Sequence, residues 1–156
     1  MTTLMTVARC AAIACALSAV PAQAATDAKI AGQFGLIGVW AMDCARPASV
    51  QNTYETMSVA ADGTIDAVID TQVTGIDGLS HLHALQLVDG GMVQLIWHST
   101  VTGSTLTITI AKKGNLQHSW KSVQSDGKVL IDNGLFVASH MPTPWFEKCA
   151  AAPPAR

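Results

Sequence analysis

The sequence predicts an all-β domain: an antiparallel up-and-down meander of about eight strands, rolled into a closed or nearly closed barrel and tied by one disulfide. Three observations predict it. Between Gly38 and Ser139, short β-rich runs alternate with glycine turns, among them Asp62-Gly63, Asp89-Gly90, Lys113-Gly114, Asp126-Gly127 and Asn133-Gly134. Several runs alternate apolar with polar residues, so each buries one face. A sheet of that many strands with one apolar face lowers its free energy by curling until its edges pair, which favours a barrel over a sandwich.

The elements follow in order. Arg9 is the only charge before Asp27, and Cys10 to Val20 is an apolar run ended by Pro21. Ala22-Gln23-Ala24 then offers small residues where a signal peptidase reads. Residues 1–24 are therefore expected to be a cleaved secretory signal, with cleavage after Ala24 or Ala25. The run falls well short of the ~20 residues that cross a bilayer, so no transmembrane span is expected. The protein is expected to be exported, to a periplasm or the extracellular space. Residues 25–149 form one barrel domain, and 150–156, with Pro153 and Pro154, a disordered tail. Near Thr26 to Phe34 a helical turn is expected. Cys10 and Cys15 leave with the signal, and in an oxidising compartment Cys44 and Cys149 are expected to pair. Such a bridge closes a loop of about 105 residues, worth ~4.7 kcal/mol in the chain-entropy picture.

Along the domain, Ile65, Ala67 and Ile69 share one face and are assigned to the core, leaving Asp66 and Asp70 in water. Val93, Leu95 and Trp97 share another face, and Thr105 to Ile110 alternates threonine with leucine or isoleucine. Leu116, His118 and Trp120 share a face that is expected to point inward. Lys112 and Lys113 are placed at a solvated hairpin tip. The segment Pro142-Thr143-Pro144-Trp145-Phe146 reads as a strap packed on the barrel and pinned by Cys149, with Trp145 and Phe146 covering one end or an open seam.

A short N-terminal segment leads into Gly38-Val39-Trp40 on the first strand. This Gly-x-Trp, with a meander behind it, resembles the calycin group: lipocalins, fatty-acid-binding proteins, avidins and bacterial protease inhibitors. The resemblance implies that Gly38 and Trp40 are structural, the tryptophan plugging the closed end of a small secreted barrel. Lipocalins pair that tryptophan with an arginine on the last strand, and here no arginine lies between Arg46 and Arg156.

Charged residues make up 13% of the chain, about half the usual share, which excludes a disordered or polybasic protein. The formal charge is -2, so there is no basic excess to neutralise phosphates, and nucleic acid is not an expected partner. No nucleophile elbow, Walker loop, zinc-protease or dinucleotide motif is present. The expectation is a non-enzymatic, exported barrel binding a small apolar or amphipathic ligand, with Leu95, Trp97, His118 and Trp120 as candidate cavity residues. The alternative is a module that binds an envelope or secreted protein, as a protease inhibitor does. A third reading takes His81 and His83, on one face of a strand, as ligands for zinc or copper. A satisfied pair of surface histidines is the simpler reading, and no cofactor is expected.

Overall fold

A computed structural model describes residues 22–150. The expected signal therefore lies outside the described residues except for positions 22–24, as does the expected tail beyond Ala150. Helix α1 (Ala22–Phe34) leads into strands β1 (Gly38–Ala41), β2 (Tyr54–Val59), β3 (Ile65–Asp70), β4 (Gly78–Val88), β5 (Met92–Ser99), β6 (Thr105–Lys113) and β7 (Leu116–Gln124). After β8 (Val129–Asp132) and β9 (Leu135–Phe136), the chain returns as β10 (Phe146–Cys149). Each of β1 to β7 pairs antiparallel with the next.

The ring closes through the last strand. β10 lies between β1 and β7, antiparallel to both, with Trp40 opposite Lys148 and Gln117 opposite Phe146. Strands β1 to β7 and β10 thus form a closed eight-stranded barrel, compatible with the calycin outline. β7 bonds β10 through Leu116 and Gln117, and β8 through Ser122 and Val123, so β8 and β9 extend from the barrel as a flap. The Cys44–Cys149 disulfide, with its Cα atoms 5.5 Å apart, joins the loop after β1 to the end of β10.

The helix is longer than the single turn expected from the sequence. Its apolar residues Ala31, Ile30 and Phe34 pack on the core, and burial supplies what a short isolated helix lacks. It ends in a Schellman motif: Leu36 N–H donates to Ala31 O at 2.9 Å and Gly35 N–H to Gly32 O at 3.1 Å. Gly35 takes the left-handed conformation this cap needs (φ 81°). The side-chain core lies at the α1 end, built on Met57, Ile65, Leu82, Leu85, Val93 and Leu95.

Two irregularities decide which side chains face inward. In β4 the register shifts between His83 and Gln86, where Ala84 has φ 52°. Leu82 and Leu85, three residues apart, are therefore both buried, whereas strict alternation groups Leu85 with the exposed His81 and His83. In β7 the pairing steps from Ser119 opposite Ile110 to Lys121 opposite Thr109, leaving Trp120 as the extra residue.

Trp40 is fully buried, and its Nε1 donates to Leu36 O at 2.6 Å. Lys148 Nζ on the last strand lies 5.4 Å from its ring and donates to Gly35 O, which provides a cation at the place where lipocalins carry arginine. Gly38 makes room for that side chain, because a Cβ there would stand 2.7 Å from Lys148 Cε. Lys112 is not solvated as the sequence suggests. Its Nζ donates to Phe34 O at 2.7 Å and lies 5.8 Å from the Trp40 ring. Both ammonium groups thus meet the carbonyl-rich C-terminus of α1, where positive charge is favoured.

Candidate functional site

The barrel is not wholly filled by its own side chains. A cavity of about 260 Å³, partly open to solvent, lies between Ile69, Trp97, Leu106, Ile108, Ile110 and Phe146. Its walls are mostly apolar, and three polar side chains from facing strands break them: Glu55, Gln117 and Ser119. Their inward placement follows from the register. Glu55 is opposite Trp40 on one side and Ile69 on the other, while Ser119 is opposite Ile110.

Glu55 is the unusual group. No hydrogen bond or counter-charge among the described residues reaches its carboxyl, and burial pushes its pKa up to about 7. Desolvation acts on the charged form, so the cavity holds a carboxyl that is poised between acid and carboxylate near neutrality. Gln117, only 3% exposed, has an Oε1 that is buried with no hydrogen-bond partner. β1 and β10 stand between β2 and β7 in the ring, so the two groups reach into the cavity from well-separated strands. An unpaired buried acceptor costs roughly 1–3 kcal/mol.

The residues singled out from sequence fall into different places. Trp97 lines the cavity, as an inward residue of β5 should. Leu95 is fully buried in the core beneath it. The inward face expected for His118 and Trp120 is overturned. His118 borders the cavity through the wall, but it pairs with Ala111, on the opposite side of the sheet from Ile110 and Ser119. Its ring stacks on Trp145, with centroids 3.9 Å apart, and meets Trp120 edge-on at 6.0 Å.

On β7 the usual alternation is inverted. The polar Gln117 and Ser119 face the cavity, and the apolar outer face is covered by the returning chain. Thr143 in that chain holds His118: Nδ1 and Oγ1 are 2.9 Å apart, and Oγ1 also lies within 3.1 Å of the Ser119 and Gly134 carbonyls. The hydroxyl proton goes to a carbonyl, so His118 donates from Nδ1 to Thr143 Oγ1. Burial holds its pKa below the usual histidine value. The strap expected from Pro142 to Phe146 is thus realised in two layers, with Trp145 outside on His118 and Phe146 inside the cavity.

His81 and His83 are exposed on β4. His81 Nδ1 lies 2.8 Å from Asp66 Oδ1, and His98 is its cross-strand neighbour, bonded in turn to Thr105 Oγ1. No cluster of three or more metal-ligating side chains occurs among the described residues. Among those residues, too, no helix is long and apolar enough to cross a membrane. Compared with protein-family models, with curated proteins and with solved structures, the chain matches none.

Proposed function

We propose that this protein is an exported binding protein, not an enzyme, whose barrel takes a small and mainly apolar molecule. The observation that carries this reading is the unfilled space in the barrel, a cavity of about 260 Å³ with mostly apolar walls and a few polar groups. Its size sets the ligand class. An apolar cavity of ~150 Å³ admits benzene, and drug-sized ligands need ~300 Å³ or more. A single ring with a short substituent, or a chain of similar bulk, fits between these limits. Kinship with the calycins is supported by the barrel's closure and by the Gly38–Trp40–Lys148 arrangement.

A second reading is favoured by one observation. Leu135, Phe136, Val137, Met141 and Trp145 are all exposed on the flap and strap, a surface suited to another protein. The two are separated by native mass spectrometry of protein purified from its own compartment, beside a Ser119→Leu variant that fills the cavity. The cavity reading expects a small-molecule adduct in the wild type that is missing from the variant. It is overturned if there is no adduct and a panel of monocyclic compounds leaves the melting temperature unchanged.

A further inference from the structure

The polar groups of the cavity specify the head group of its occupant. We propose that the cavity binds a small amphipathic amine, its ammonium group held by the Glu55 carboxylate and its hydrocarbon body against Trp97, Ile108 and Phe146. This rests on the apolar-ligand reading above and adds the chemistry of recognition to it.

The argument begins with what each polar atom lacks. Gln117 lines the cavity, but its Oε1 is an acceptor buried away from it without a partner. The Glu55 carboxylate is likewise an acceptor, with no donor from the chain. Where Glu55 is ionised, a head group with several N–H bonds satisfies it and a carbonyl, an ether or a carboxylate does not; where it is protonated, its O–H donates to a carbonyl or ether instead. Charge narrows the choice. None of the residues that line the cavity is a cation. The nearest lysines on the inner wall are already committed, Lys112 to Phe34 O and Lys148 to Gly35 O, both over Trp40. When Glu55 is ionised, a ligand's ammonium group therefore supplies a counter-charge that the cavity lining does not. Trp97 and Phe146 add aromatic faces, which favour a cation over a neutral head.

Proton linkage follows. Below pH 7 the empty cavity holds Glu55 mostly as the neutral acid. An ammonium ion must expel that proton to pair with the carboxylate. Binding of an amine therefore releases a proton below pH 7, and its affinity falls by about tenfold per pH unit there.

The experiment is calorimetric titration of 2-phenylethylamine, 2-phenylethanol and phenylacetate into the full-length mature protein at pH 8 and pH 5.5. It is done in buffers of differing ionisation enthalpy, with wild type and Glu55→Gln. The expected result at pH 8 is that the amine binds at least about tenfold tighter than the alcohol and that the acid does not bind. At pH 5.5 the amine's advantage shrinks and a proton is released to buffer. In Glu55→Gln the advantage disappears, and a melting temperature near pH 4 equal to that of the wild type shows that the variant is folded. If amine and alcohol bind equally to the wild type, or the preference persists in Glu55→Gln, the head-group assignment is overturned and the apolar-ligand reading stands. If none of the three binds, both fall.

Discussion

The Asp27 carboxylate on α1 accepts the backbone N–H groups of both Ala84 and Leu85, at 2.9 and 3.0 Å, across 57 and 58 residues of chain. Those are the donors that the irregularity in β4 removes from the ladder. A single buried side chain therefore both satisfies a β-bulge and docks the helix over the barrel end. The bulge in turn delivers Leu85 to the core.

Replacing Asp27 by alanine leaves two amides without this acceptor, that of Leu85 buried and that of Ala84 partly so. The expected loss is about 3 kcal/mol in chemical denaturation, with α1 becoming the first segment cut by protease. Asp27→Asn, which keeps one acceptor, is expected to lose less. An unchanged midpoint in Asp27→Ala would show that the helix is held by its apolar face alone.

The raised pKa of Glu55 makes a stability prediction independent of any ligand. A carboxyl whose folded pKa exceeds its unfolded value leaves the fold undisturbed below pH 4.5 and destabilises it as the pH rises through 7. Glu55→Gln is therefore expected to match the wild type near pH 4 and to exceed it by roughly 3 kcal/mol at pH 8. Urea denaturation at the two pH values reads this directly.

His118 acts in the opposite sense. Its folded pKa lies below the ordinary value of 6.5, so its contribution is complete above that value and is lost as acid charges the buried ring. Acidification to pH 5 is expected to loosen the segment over β7, seen as faster amide exchange at residues 134–145. His118→Phe keeps the stack on Trp145 but has no proton to gain, and its exchange should not depend on acidification in this way.

Cys44→Ser removes the covalent tie between the loop after β1 and the end of β10. A loss of a few kcal/mol is expected, up to the ~4.7 kcal/mol of the chain-entropy picture. The denaturation midpoint measures it, and quenching of Trp145 should report the freed strap.

Much of the fold was legible because burial imposes a period of two. Ile65, Ala67, Val93 and Leu95 are buried where that period places them, and Cys44 pairs with Cys149. The site was legible only in part. A glutamate between Tyr54 and Thr56 reads as solvent-facing, because carboxylates are rarely buried, and only its register with Trp40 and Ile69 turns it inward. His118 and Trp120 misled for the converse reason. Their face is apolar because the chain beyond β8 covers it from outside, and alternation along a strand carries no sign of which side is which. Lys112 was hidden because its partner, the C-terminus of α1, is 78 residues away in sequence.

Because β10 is the stave that closes the ring, the cask is not watertight until the final residues are in place. A chain emerging amino-terminus first exists for most of its synthesis as an open sheet, with β1 and β7 presenting raw edges to any neighbour. The cavity likewise lacks a wall until Phe146, which β10 contributes, is in place.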